Sequence, residues 1–80
     1  MAKRRYTIIL YPEQEEGGYS VQVPALPGCV TQGETIEEAI AMAKDAIALY
    51  IEDLEKHGEP VPEEDEHPQA IVLDIGEVAA

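Results

Sequence analysis

Residues 33–58 read GETIEEAIAMAKDAIALYIEDLEKHG, and this stretch decides the fold. Its opening, Thr35-Ile36-Glu37-Glu38, has the form of a capping box, in which the Thr35 hydroxyl accepts the amide proton of residue 38 and the Glu38 carboxylate reaches back. Glu37 and Glu38 also place negative charge at the positive end of the helix dipole. Ile36, Ile40, Ala43, Ile47, Tyr50 and Leu54 then recur at helical spacing, while Ala39, Met42, Ala46, Leu49 and Ile51 widen the stripe. Lys44, Asp45, Glu52, Asp53, Glu55 and Lys56 take the opposite side, and Gly58 followed by Pro60 stops the element. The pattern predicts one amphipathic helix from Ile36 to about His57, roughly 33 Å long at 1.5 Å per residue. Its apolar face needs a sheet to cover it.

Upstream, the period shortens to that of strands. Tyr6 to Tyr11 is β-branched and aromatic, and Pro12 ends it for want of an amide proton. Gly17-Gly18 closes a polar turn with the positive-φ freedom that a hairpin needs. Tyr19 to Val23 alternates cleanly, Tyr19, Val21 and Val23 on one face and Ser20 and Gln22 on the other. Pro24-Ala25-Leu26-Pro27-Gly28 forces an extended and then turning backbone before a short third strand, Cys29 to Gln32, that ends at Gly33.

Downstream of the helix, Gly58 to Gln69 is proline-punctuated and acidic around Glu63-Glu64-Asp65-Glu66, and reads as a mobile, solvated loop. Ala70 to Ile75 reads as a fourth strand, with Gly76 to Ala80 a frayed tail. The sum is an α+β, two-layer βββαβ fold, one long helix on a small antiparallel-rich sheet. The helix covers one sheet face, so the other meets water or a partner. Either register leaves isoleucine or valine there: Ile9 if Ile8 and Leu10 face the helix, Val72 if Ile71, Leu73 and Ile75 do. Exposed apolar surface of that kind points to association.

Eighty residues make a single domain, residues 1–80 with a core from about 5 to 75, marginal unless it is well idealised or oligomerises. Seventeen carboxylates against five basic residues give a formal charge of -12, which disfavours nucleic acid and anionic lipid and speeds encounter with a basic protein. The same charge also serves solubility. Lys3-Arg4-Arg5 is too short a cluster for a nucleic-acid arm. One cysteine excludes an internal disulfide, and no long apolar run is present, so the expected compartment is the cytoplasm, with no membrane partner.

The residues for catalysis are thin. Ser20 lies on the polar side of a strand, and Cys29 has no histidine near it in sequence and reads as a small buried strand residue. Glu63 to His67 lacks the turn and spacing of a metal loop, and His57 fits a helix cap better than a ligand. Asp45, Asp53 and Asp74 leave room for a two-metal nuclease, though nothing in their spacing shows convergence. No catalytic, cofactor or metal residue is expected.

From Gly18 to Ala39 the chain joins a Gly18-Tyr19 strand opening, the run Pro24-Ala25-Leu26-Pro27-Gly28-Cys29, and a helix start at Gly33-Glu34-Thr35-Ile36-Glu37-Glu38-Ala39. Together these resemble the N-terminal domain of the HicB antitoxin family, over roughly residues 5–75. The resemblance implies a partial ribonuclease-H-like βββαβ fold without that enzyme's catalytic acids, and a role in neutralising HicA, a small basic ribonuclease. The motif residues Gly18, Tyr19, Pro24, Leu26, Pro27, Gly28, Cys29, Gly33, Thr35, Glu38 and Ala39 have structural explanations, with Gly28 and Gly33 read as turn residues, and none is carried over as a partner contact. HicB proteins typically continue into a DNA-binding domain; this chain, read as a stand-alone domain, ends at Ala80 without one, which puts direct autoregulation in doubt. The expected partner is a HicA-like toxin, with a homo-oligomer, dimer or tetramer, besides. An orphan interaction module without a toxin is the alternative, and a metal-dependent nuclease a more distant one.

Overall fold

The computed structural model describes residues 4–76. Lys3 of the basic cluster and residues 77–80 of the expected tail lie outside them. Three strands, β1 (Ile9–Pro12), β2 (Tyr19–Gln22) and β3 (Val30–Gly33), form an antiparallel sheet in the order β1-β2-β3, and one helix, α1 (Ile36–Lys56), follows. The α+β architecture anticipated from periodicity is present, with one long helix on a small antiparallel sheet.

Register sets the faces. Leu10, Val21 and Thr31 stand abreast across the three strands, as do Pro12, Tyr19 and Gly33, and this face packs against α1. Ile9, Gln22 and Val30 form a row on the outer face, followed by Tyr11, Ser20 and Gln32. The core has two parts. In one, Val21 meets Ala39 and Ala43 of α1, flanked by Ile8, Leu10 and Tyr19. In the other, Val23, Leu26 and Cys29 meet Tyr6, Ile8, Ala46, Ile47 and Tyr50.

The centre of the helical face is therefore alanine, where the sequence pattern centred it on isoleucine. Ile36 and Ile40 are exposed, as are Met42 and Leu49 on the other flank. Gly33 explains the shift. It is not in the left-handed region and is no turn residue; a Cβ there would stand 2.5 Å from the Ala39 nitrogen and 2.6 Å from its Cα. The helix backbone sits directly on the end of β3, and only small side chains fit at that crossing.

The helix termini follow the sequence closely. The Glu38 amide donates to Thr35 Oγ1 at 3.1 Å. The reciprocal carboxylate contact falls one residue earlier than the standard box, with the Glu34 amide donating to Glu38 Oε1 at 3.2 Å. At the far end Gly58 is left-handed, its amide donates to the Glu55 carbonyl, and the Glu59 amide donates to that of Leu54, a Schellman termination.

Two expectations are corrected. The fourth strand does not form: residues 70–75 take no place in the sheet, because a strand needs a ladder neighbour and among the described residues none pairs with them. The first strand is also shorter at its start, since Tyr6 and Thr7 turn their polar groups to the loop after α1. Pro12 closes β1 from within, on an edge where its missing amide proton costs nothing.

Candidate partner-binding surface

The strands hold Ile9, Tyr11 and Val30 on the side away from α1, with Val30 63% and Tyr11 46% exposed. Ser20, Gln22 and Gln32 separate them, so the face is mixed and shaped for a protein more than for a small molecule.

The carboxylates concentrate at one end of the sheet. The β1–β2 turn brings Glu13 and Glu16, and the start of α1 brings Glu34 and Glu38, around an open depression of about 200 Å³ whose lining includes Tyr19, Gln32 and Met42. Glu15 extends the acidic rim along the turn. Gly18 makes this closeness possible: its φ is +76°, and a Cβ there would meet the Gly33 carbonyl oxygen at 2.7 Å. Such a surface suits a basic partner and repels phosphate.

The loop between β2 and β3 is a packed plug. Leu26 is fully buried, and Val23, Leu26 and Cys29 are joined by backbone hydrogen bonds of 2.9–3.1 Å. Gly28 turns it at φ +81°. The Tyr50 hydroxyl donates to the Pro27 carbonyl at 2.7 Å, tying the loop to α1. The motif residues Pro24 to Cys29 thus sit in or around this plug, while Gly18, Tyr19, Gly33, Thr35, Glu38 and Ala39 sit where the sheet meets the helix start.

The acidic loop after α1 is not simply solvated. Thr7 donates to Glu64 through both its amide, at 2.9 Å to Oε1, and its hydroxyl, at 2.6 Å to Oε2, and His67 Nδ1 also contacts Oε2. The Tyr6 hydroxyl donates to the Pro62 carbonyl at 2.6 Å. Glu64 is only 5% exposed in its side chain. Burial on its own raises the carboxyl, but the Thr7 hydroxyl, His67 and the Thr7 amide outweigh it and pull it down to about 2. Sequence reasoning missed this latch, as it missed the Tyr50–Pro27 bond.

The candidate chemical groups stay apart. Cys29 is buried, and that burial pushes its thiol up, away from the reactive thiolate. His57 closes α1, its Nδ1 2.8 Å from the Asp53 carbonyl and 3.5 Å from Asp53 Oδ1. Asp45 and Asp53 are exposed on α1, and Asp74 lies on the unpaired tail. Among the described residues no three acids, histidines or cysteines converge as a metal site requires. Arg4 of the basic cluster reaches Glu55 at 3.9 Å. No helix of the described residues is long and apolar enough to cross a membrane.

Residues 6–72 match the family model described as a HicB-like antitoxin of bacterial toxin–antitoxin systems. The chain belongs to the HicB-like antitoxin family. A UPF0150 protein of Thermoplasma acidophilum is 53% identical over 58 residues, covering 72% of this chain and 83% of the relative. A UPF0150 protein of Synechocystis is 50% identical over 60 residues, 75% of each chain. The antitoxin HicB of Escherichia coli is 44% identical over 62 residues, covering 72% of this chain and 44% of that protein. The HicB-like chain described here therefore spans less than half of that longer HicB relative. Membership in this family suggests an antitoxin role, without enzymatic activity of its own.

Proposed function

We propose that this HicB-like chain is the protein-binding component of a cytoplasmic toxin–antitoxin pair and inhibits a small basic ribonuclease of HicA type by covering its RNA-binding surface. The family match over residues 6–72 carries the reading. The charge of -12 and the carboxylates gathered at the sheet end support it, since a carboxylate-rich surface competes with RNA phosphates for the same basic face. Charge attraction between the partners makes the complex weaker as salt rises. No direct contact with nucleic acid is needed.

The test is a pull-down of the tagged chain from its native lysate, with mass spectrometry of what is retained and a parallel wash at high salt. Recovery of a small basic protein that salt releases, and whose RNA cleavage the chain suppresses, supports the proposal. Recovery of the chain alone, from lysate in which such a protein is expressed, overturns it.

A second reading is favoured by the exposed apolar tail: self-association into a dimer or tetramer, with or without a toxin. It requires that the purified chain alone run above its 8.8 kDa monomer mass in light scattering.

A further inference from the structure

We infer that residues 70–75 form a fourth strand on the β1 edge of a second copy of this chain, which returns its own residues 70–75 in exchange. The inference deepens the self-association proposed above and is independent of any toxin.

Ile71, Val72, Leu73 and Ile75 are 73%, 95%, 71% and 71% exposed. A lone exposed apolar residue is ordinary on a protein surface; four among six consecutive positions are not. All four favour the extended, pleated conformation or pack well within it, and the segment belongs to no helix or strand of its own chain. Among the described residues, no backbone hydrogen bond joins 70–75 to the rest of the chain. The segment has the composition of a sheet strand and lacks a neighbour.

The same chain supplies the neighbour. In the order β1-β2-β3, β1 has one side unpaired. With Ile8 just ahead of it, β1 carries apolar residues on both faces, Ile8 and Leu10 inward and Ile9 and Tyr11 outward, and no lysine or inward charge; Pro12, at its last position, blunts only the end beside the turn. The arm matches it, with Ile71, Leu73 and Ile75 on one face and Val72 on the other. The opposite edge, β3, offers Val30-Thr31-Gln32-Gly33, more polar and beside the acidic helix start.

The geometry points to a second copy rather than a return to the chain's own edge. Glu64 is held at Thr7, just ahead of β1, and the chain beyond it leaves Ile71, Val72, Leu73 and Ile75 exposed. The radius of gyration is 15.7 Å, against about 11–12 Å for a compact chain of this length, and the long dimension is 52 Å. An arm held away from its own body, beside an open edge of matching character, becomes self-complementary under a two-fold axis: each copy gives one strand and receives one.

Charge adds a signature. Two chains of -12 repel, so screening strengthens this dimer, the reverse of its effect on an acidic–basic complex.

The experiment is light scattering of the full chain at about 50 mM and about 500 mM salt, where screening lengths differ several-fold, with amide exchange read at residues 9–11, 30–32 and 71–75. Leu73→Pro is measured beside it; proline removes a ladder donor, and residue 73 lies outside the folded core, so the circular dichroism of α1 is preserved. The expected result is a salt-strengthened dimer, with protection at 71–75 and 9–11, weakened at least about tenfold in Kd by Leu73→Pro. A dimer indifferent to Leu73→Pro, or protected at 30–32 in place of 9–11, overturns the exchange and leaves self-association standing. A monomer overturns both; protection at 71–75 in that monomer identifies return to the chain's own edge.

Discussion

Thr7 and Glu64, 57 positions apart, are joined by two hydrogen bonds, the amide and the hydroxyl of Thr7 both donating to one carboxylate. This pair fastens the chain after α1 to the head of the first strand and makes the domain's stability depend on acid. The Glu64 carboxyl lies at about 2 in the folded chain against 4.5 for the free group. A lowered folded value contributes stability that is complete above the unfolded value and lost as pH falls through the folded one. Glu64 thus contributes fully above about pH 4.5 and progressively less toward about pH 2. Thermal midpoints taken between these limits should fall with acid in the parent chain. In Glu64→Gln the fall over this window should be shallower; an unchanged slope would show that other carboxylates carry it.

Gly33→Ala should be more damaging than Gly17→Ala. The new Cβ would lie 2.5 Å from the Ala39 nitrogen and 2.9 Å from the Glu38 carbonyl carbon, all helix backbone, so α1 must move off the sheet. Overpacking of this kind costs about 1–3 kcal/mol, and each kcal/mol lowers the midpoint by roughly 4–8 °C in a domain this small. Gly17→Ala is the comparison. Its φ of +76° carries strain but nothing lies within 4 Å, so it should cost about 1–2 kcal/mol from the backbone alone and leave the helix–sheet contact intact. Circular dichroism melts of the two variants decide the order.

What could be read from the sequence divides by distance along the chain. The Thr35 cap, the Gly58 termination and the alternation of Tyr19, Val21 and Val23 are local, and each residue type states its own reason. The Ala39–Ala43 centre of the helix was hidden because the apolar stripe is broad, and only the approach of Gly33 selects which part of it is buried. Glu64 was lost among four consecutive acids, since its partner is 57 residues away and carries no charge that would mark it. The fourth strand failed for another reason. Residues 70–75 have strand composition, but pairing is a property of two segments, and composition does not say where the second one is. The acidic end of the sheet was legible as net charge and illegible as a place, because Glu13, Glu16, Glu34 and Glu38 meet only through the hairpin and the Gly18–Gly33 contact.

Leu26→Ala tests the plug between β2 and β3. Leu26 is fully enclosed among Val23, Cys29 and the apolar side of α1. Its truncation removes the plug's largest apolar group and leaves a cavity, a loss of about 2–5 kcal/mol. Small domains have little more than that in total, so the variant should be largely unfolded at 37 °C as an isolated chain. Denaturant titration of Leu26→Ala beside Leu26→Met makes the measurement. The near-isosteric methionine should cost less than about 1.5 kcal/mol, and equal losses in the two would mean that the plug is not a packed part of the core.

The C-terminal end of α1 should respond to pH in the opposite sense from the Thr7–Glu64 latch. His57 is exposed; its imidazole is raised above its ordinary value by the hydrogen bond to the Asp53 carbonyl, and further by the Asp53 carboxylate beside it. A folded value above the unfolded one gives stability that is complete below about pH 6.5 and lost as pH rises through the folded value. The charged ring also faces the negative end of the helix dipole, which adds to the same sign. Amide exchange at residues 55–59, corrected for intrinsic rates, should therefore show more protection at pH 5.5 than at pH 8, a contrast set by about 6.5 as the ordinary histidine value. In His57→Gln the contrast should disappear while the Gly58 termination remains. If exchange in the variant keeps the same pH contrast, the last turn is held by its backbone bonds alone and the ring contributes nothing to it.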